Sequence, residues 1–172
     1  MKNLDNQNNS SHFINSNLCC LCKEFLDLTE EEIASIKKIK SENFKNSNEE
    51  NLSPISISDR RSHHFLIFQN DRLLAYSRLV PPSYNFNKLT LEKFCVSKNY
   101  RSKGISKILM ELVFKKSQVL YPKQILNLSS LEETKKFYEK FGFFSSYFVY
   151  DENGNSHYQM TKSFKYFCLY KF

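Results

Sequence analysis

From Leu91 to Phe114 the chain reads LEKFCVSKNYRSKGISKILMELVF, an apolar strand-like run that passes through a basic turn into an apolar helical run. No other stretch constrains the fold as much, because a strand delivered directly into a helix opens an α/β unit whose helix must lie back on its own sheet. Leu89 to Val96 is expected as the strand and Ile105 to Phe114 as the helix, with Ile105, Ile108, Leu109, Leu112 and Val113 on one side. Between them lie Lys98, Arg101, Lys103 and Gly104. Amides at such a junction and in the first helical turn have no intrahelical acceptor, so together with the cations they can form a phosphate-sized nest. The competing reading is a solvated loop, since one RxxG is neither GxGxxG nor the longer phosphate-loop motif.

The rest of the chain supplies a sheet for that unit. Cys19 to Phe25 reads as a first strand, and Thr29 followed by Glu30, Glu31 and Glu32 is a capping box that starts a helix carrying Ile33, Ile36 and Ile39. ENFKNSNEENLSPISISDRR reads as a long loop holding one short element. HFLIF and LLAYSRLV flank a QNDR turn and form a hairpin that ends against Pro81 and Pro82. Ile125 to Leu128 is a short buried strand, and Ser130 with Glu133 makes a second capping box for a helix running to about Lys140, stopped by Gly142. Phe143 to Tyr150 and His157 to Thr161 close the chain as a hairpin. Strand, helix, three strands, helix, strand, helix and two strands make an α/β chain with a mixed sheet.

With 172 residues, one domain is the expectation: an Asn- and Ser-rich disordered segment over 1–17, then a single unit over 18–172. No run approaches the length needed to span a bilayer and no secretory signal opens the chain, so a soluble cytoplasmic protein without membrane contact is expected. The formal charge of +7 is spread from Lys2 to Lys171 without a dense block, which favours anionic ligands without selecting one. Nucleic acid is the less favoured partner, because most of the sixteen Phe and ten Tyr fall at core periods of strands and helices. Five cysteines, three of them within 19–22, argue against a disulfide framework, and no metal site is expected.

The late segment SSLEETKKFYEKFGFF sets Tyr138 beside a helix face formed by Phe137 and Phe141. Its phenol is either a core hydroxyl bonded to structure or a proton donor to a thiolate leaving group. With FCVSKNYRSKGIS, FYEKFGF, FLDLT, DRRSHHFLIF, LLAYSRLVPP and YDENGNSHYQM in this order, the chain resembles the GNAT superfamily of acyl-CoA-dependent N-acyltransferases and its ElaA-like branch, from Phe25 to Thr161. The resemblance implies a GNAT-like fold, with a mixed, mainly antiparallel β-sheet flanked by α-helices and splayed at the cofactor strand. It implies acetyl-CoA as the acyl-donor co-substrate, its pyrophosphate wrapped by the amides of Arg101, Ser102, Lys103, Gly104, Ile105 and Ser106. The main chain around Phe94 and Val96 would bond the pantetheine arm, and Tyr138 would protonate the departing thiolate. The implied reaction is N-acetyl transfer to an unidentified primary amine by direct attack in a ternary complex. Cys95 alternates away from Phe94 and Val96 and is not expected to act as a covalent nucleophile.

An amine protonated in water needs a base or a water relay before it can attack. Glu92, His63, His64 and His157 are the candidates, and Glu92 is expected on the strand face of Phe94, two residues on, unless it is simply an exposed strand carboxylate. Asp59, His64 and His157 fall in branch-like motifs and are expected to shape the acceptor pocket. Two positions depart from the family: Ser106 replaces a final small Gly or Ala, and Leu131 stands where Asn or Gln is usual. Both leave open a noncatalytic acyl-CoA-binding or protein-interaction domain of the same fold. Either a monomer or a homodimer is compatible, the latter through an exposed strand or the tail SFKYFCLYKF.

Overall fold

The computed structural model describes residues 17–44, 56–83, 87–152 and 155–164. The expected disordered start up to residue 16, the middle of the early loop and the aromatic tail beyond Phe164 lie outside these. The strands are β1 (Leu18–Glu24), β2 (His63–Gln69), β3 (Arg72–Val80), β4 (Leu89–Val96), β5 (Leu126–Leu131), β6 (Phe144–Glu152) and β7 (Asn155–Lys162). They form one seven-stranded sheet in the order β1-β2-β3-β4-β5-β7-β6. Only β4 and β5 run parallel; the other neighbours are antiparallel. The helices are α1 (Glu30–Asn43), α2 (Ile57–Arg61), α3 (Ile105–Leu120) and α4 (Glu132–Glu139).

Helices cover both faces of the sheet. Ile105, Leu109, Met110 and Val113 of α3 bury against Phe65, Ile67, Ala75, Leu79, Leu89, Leu91 and Val96, with Phe94, Phe137 and Tyr138 packed at the margin. On the other face Ile36 and Ile39 of α1 meet Leu66, Tyr76 and Cys95. The expected capping box starts α1: the Glu32 amide donates to Thr29 Oγ1 at 3.2 Å, and the Thr29 amide donates to Glu32 Oε2 at 2.9 Å. Lys23 Nζ of β1, 2.8 Å from Glu32 Oε1, ties the box to the sheet. The hairpin turns at Asn70 and Asp71, both at positive φ, a two-residue turn whose twist suits the strands it joins.

Three local expectations need correction. Helix α3 runs six residues past Phe114, because KKSQVL contains no breaker and the stop comes only with Pro122, which restricts Tyr121 before it. Ser130 does not cap α4. Strand β5 continues through it to Leu131, the N-cap is Leu131 with no side-chain bond, and the Ser130 hydroxyl meets Thr134 Oγ1 at 3.0 Å. Pairing with β7 claims Ser130 for the ladder before it can cap anything.

The third correction concerns β4. Arg78 pairs with Glu92 and Tyr76 with Cys95, so Ser77 alone opposes both Lys93 and Phe94. Lys93 takes up the extra residue at φ 52, a left-handed conformation that costs an L side chain roughly 1–2 kcal/mol. The bulge resets the alternation of the strand. Phe94 packs toward α3 while Cys95 lies under α1, and Glu92 points to the α1 side, opposite Phe94 rather than beside it.

Replacement Thr29→Ala removes one half of the box and frees an amide at the start of α1. It should lower stability by about 1 kcal/mol in urea unfolding, with the slope of the transition unchanged.

Candidate active site

β4 pairs with β5 only at Leu89↔Leu126 and Thr90↔Asn127. Beyond those two pairs the parallel strands part, and the edge of β4 from Glu92 to Val96 is left without a β5 partner. Asn127 braces the fork by donating to the Leu89 carbonyl at 3.1 Å. The sheet therefore opens beside Phe94 and Val96, where an extended arm was expected to lie.

The loop after β4 is pinned at its root, the Ser97 amide donating to the Leu74 carbonyl at 2.8 Å. A short turn over Lys98–Tyr100 follows, and the Arg101 amide closes it onto the Lys98 carbonyl at 3.4 Å. From Ser102 to Ser106, five consecutive amides donate to no backbone carbonyl among the described residues. Ser102 (φ 59) and Gly104 (φ 80) are left-handed, and alternation of this kind turns successive N–H groups into one concavity. A Cβ on Gly104 would meet no atom within 4 Å, so the backbone conformation selects glycine and the space over it is open. The Ser106 hydroxyl, at the second helical position, makes no bond to a described residue and adds an oxygen to the same rim.

The side chains of the loop are arranged less simply than expected. Arg101 reaches away from the concavity, donating from Nε to the Val96 carbonyl at 3.3 Å and from Nη2 to Asn43 Oδ1 of α1 at 2.7 Å. It fastens the loop to the strand end and to α1. Lys103 Nζ stands 5.2 Å from the centre of the Tyr100 ring, which Arg72 also approaches at 5.3 Å. Both cations contribute field without occupying the nest.

Tyr138 lies across the opening from the loop's strand. Its ring sits 6.1 Å from Phe94, 5.0 Å from Phe137 and 5.9 Å from Phe143. Gly142 at φ 78 ends the helix just behind it, and the Tyr138 carbonyl accepts from the amides of Phe141 and Phe143. The phenol is half-buried, and burial among these rings raises its pKa above the ordinary tyrosine value. Among the described residues no group hydrogen-bonds the hydroxyl, while the ring packs against the core.

On the α1 side is a buried polar network that the sequence reading largely missed. Arg78 donates from Nε to Glu92 Oε2 at 2.9 Å and, through Nη1, binds Asp59 Oδ1 and Ser56 Oγ. Asp59 also closes a capping box at the start of α2, accepting from the Ser56 amide at 3.0 Å. Burial pushes its carboxyl up, but the Arg78 guanidinium, the Ser56 amide and Lys40 outweigh that and hold it below the usual range. His64 is 1% exposed, with Nε2 against the Asp59 carbonyl and Nδ1 against the Tyr76 hydroxyl, each at 2.9 Å. A carbonyl can only accept, so Nε2 carries the proton and Nδ1 accepts from Tyr76. Both ring nitrogens are spent on structure. His63 faces the opposite way, to Tyr121 at 2.9 Å, and His157 is in β7 opposite Leu131. Asp59, His64 and Glu92 are thus brought together; His63 and His157 stand apart from them. Cys95, its thiol pushed up to about 12 by burial, lies under α1 as an inert thiol.

An acetyltransferase (GNAT) domain model matches residues 25–164, most of the chain. The chain belongs to the GNAT acetyltransferase family. It is similar to the curated protein ElaA of Escherichia coli, 26% identical over 101 residues that make up 59% of this chain and 66% of ElaA. The match thus spans just under two thirds of that relative's length. The crystal structure of Escherichia coli ElaA superposes with a TM-score of 0.76 at 21% identity, covering 85% of this chain and 99% of that one. An acyl-CoA N-acyltransferase from Pseudomonas aeruginosa superposes at 0.75 with 24% identity, covering 86% and 100%. An aminoglycoside 6'-N-acetyltransferase complexed with coenzyme A superposes at 0.66 with 13% identity, covering 83% and 96%. The GNAT chain therefore has the expected fold and an ElaA-like character. No helix among its described residues is long and apolar enough to cross a membrane.

Arg78 is the main omission from the sequence reading of this GNAT site. A guanidinium in the middle of LLAYSRLV should have signalled a paired partner, because a charge in a buried strand is tolerated only when it is bonded. Burial depresses the pKa of His64, more than its bond to Asp59 restores, so the folded chain resists protonation there. The stability linked to neutral His64 is complete above the unfolded value of about 6.5 and is lost as pH falls through the lower folded value. The urea midpoint should therefore drop between about pH 7 and about pH 5. A flat profile across that range would contradict the buried neutral imidazole.

Proposed function

We propose that this GNAT protein transfers the acetyl group of acetyl-CoA to a primary amine by direct attack in a ternary complex. The observation that carries the reading is the run of five amides, 102 to 106, that donate to no backbone carbonyl among the described residues, at the end of the strand whose partner has parted from it. A helix N-terminus with such amides suits a pyrophosphate, and the open edge suits an extended arm bonded through main-chain groups. The coenzyme A complex of a structural neighbour supports the same ligand class.

The amides of Ser102, Lys103, Gly104, Ile105 and Ser106 would hold the pyrophosphate, with the Ser106 hydroxyl as an added donor, while Arg101, its amide and side chain engaged elsewhere, would fasten the loop that carries them. Phe94 and Val96 would align the arm along β4. The Val96 carbonyl already accepts from Arg101, so the remaining edge amides and carbonyls would do most of this. The neutral amine nitrogen attacks the thioester carbonyl carbon, a C–N bond forms, and the tetrahedral species collapses with cleavage of the C–S bond. Tyr138 donates its proton to the departing sulfur. Its raised pKa keeps it protonated throughout the neutral range, and a phenol weaker than a thiol, with its pKa of about 8.5, transfers late, as the C–S bond breaks.

Glu92 would take the amine proton, directly or through water. It turns Oε2 to Arg78 and leaves Oε1 without a bond to a described residue, with the side chain 34% exposed. Asp59 and His64 support it from behind through Arg78, as positioning residues; His157 would act, if at all, from the β7 side. The alternative, a noncatalytic acyl-CoA-binding domain, draws on Leu131, whose side chain gives the start of α4 no cap bond. A Tyr138 hydroxyl with no bond to a described residue, its ring beside Phe94 of β4, favours the enzyme.

Thiol release from acetyl-CoA with a panel of primary amines tests the choice. Tyr138→Phe should lower turnover by about 10²-fold while leaving acetyl-CoA affinity within a few-fold. Gly104→Ala should act the other way, weakening acetyl-CoA binding through its strained backbone. Binding of acetyl-CoA with no transfer to any amine would select the noncatalytic reading.

A further inference from the structure

On the α3 and α4 side of β4, Phe94, Phe137 and Tyr138 form a triangle of rings. Their centres are 5.7 Å apart for Phe94 and Phe137, 6.1 Å for Phe94 and Tyr138, and 5.0 Å for Phe137 and Tyr138. Aromatic rings in contact lie about 4.5–7 Å apart, so no alkyl chain fits between any two of these. A second layer stands behind the first. Phe141 backs Phe137 at 5.1 Å, Phe143 backs Tyr138 at 5.9 Å, and Phe114 of α3 touches both backing rings, at 6.4 and 6.0 Å. Phe143 is 2% exposed and belongs to the core under α3. The triangle therefore cannot retreat without displacing packed side chains, and close-packed interiors resist added volume.

Phe94 follows the Lys93 bulge on the strand that β5 has left, and its ring reaches from β4 to Phe137 and Tyr138 of α4. In the proposed reaction the arm runs along this strand and the sulfur meets the Tyr138 hydroxyl. The acyl carbons begin one bond from that sulfur, so the Phe94 ring, between strand and phenol, would be the first surface they meet. Growth of the chain toward α4 would run into the ring triangle. Growth toward the α1 side would enter the path by which the amine comes from Glu92 to the carbonyl carbon.

We propose that Phe94 and Phe137 set the length of the acyl group, admitting acetyl and propionyl and refusing chains of about four carbons and longer. The inference rests on the acyl-transfer reading and goes beyond it by naming what limits the donor. The limit is one of space. A longer alkyl chain would otherwise gain from burial against apolar rings, so a wall that could yield would favour long acyl groups over short ones.

Two measurements test it. In the first, acetyl-, propionyl-, butyryl- and hexanoyl-CoA are compared as donors to one primary amine of the panel. Catalytic efficiency should fall by about 10²-fold from acetyl to butyryl. Phe94→Ala should bring that ratio to within a few-fold of unity, and Phe137→Leu should move it the same way. Each ratio is taken within one variant, so a general loss of activity or stability cancels, and the panel with the unaltered protein needs neither variant to fold. Equal or rising efficiency with chain length in the unaltered protein overturns the proposal and leaves acyl transfer intact. Selectivity that survives both substitutions overturns the assignment to these rings. The second measurement needs no turnover and decides where no acyl group is transferred, the outcome that would sink the transfer reading itself. Thermal unfolding is followed with acetyl-CoA and with hexanoyl-CoA. The rise in Tm should be smaller with hexanoyl-CoA, and in Phe94→Ala the two rises should be equal or reversed. An equal or larger rise with hexanoyl-CoA in the unaltered protein overturns the proposal, as does no rise with either thioester.

Discussion

The parting of β4 from β5 after two residue pairs is the constraint on which the rest of the structure depends. Parallel strands are usually buried on both faces and paired along their length, so an early separation exposes main-chain groups that must be satisfied by something. Here the Lys93 bulge sits on the other edge of the same strand, against β3, and bends β4 as it leaves its partner. Its left-handed backbone is a local cost accepted by a strand otherwise held by β3 and by α3. The bulged strand thus leaves one edge open and runs directly into the loop of left-handed Ser102 and Gly104.

The same bulge divides the chemistry between two faces. Phe94 turns toward Phe137 and Tyr138, making an apolar wall around a phenol on the α3 and α4 side. Glu92, before the bulge, stays on the α1 side and joins Arg78 and Asp59. A regular strand would have set Glu92 and Phe94 on one face, with acid and base competing for the same space. In the proposed reaction, donor and acceptor would approach the scissile bond from opposite sides of the sheet, at the fork between β4 and β5.

Much of this was legible in the chain. The Thr29 capping box, the QNDR hairpin, the strand over Leu89–Val96 and the glycine-led start of α3 follow from local rules and appear where expected, because each is decided within a few residues. Ser130 was misread because tertiary pairing with β7 extended β5 through a sequence that satisfies a capping rule equally well. The Lys93 bulge carries no sequence mark; glycine would have announced it, whereas a lysine at positive φ reads as an ordinary strand residue. Period-two reasoning about Glu92 therefore failed one residue later. His64 looked like a free base from its motif, and only the packing of Tyr76 and the Asp59 carbonyl around it shows that neither nitrogen is available.

Arg78 connects these observations energetically. Taking a guanidinium and two carboxylates out of water costs several kcal/mol per ion, and breaking such a buried pair by removing one partner commonly costs about 3–5 kcal/mol. A strand core of apolar residues would be the more economical filling for stability alone. The network sits at the junction of α1, α2 and β4, beside the apolar cluster of Ile36, Ile39 and Tyr76, and holds Glu92 by one oxygen while the other meets no described residue. Arg78 therefore sets the position of Glu92 as firmly as the strand does.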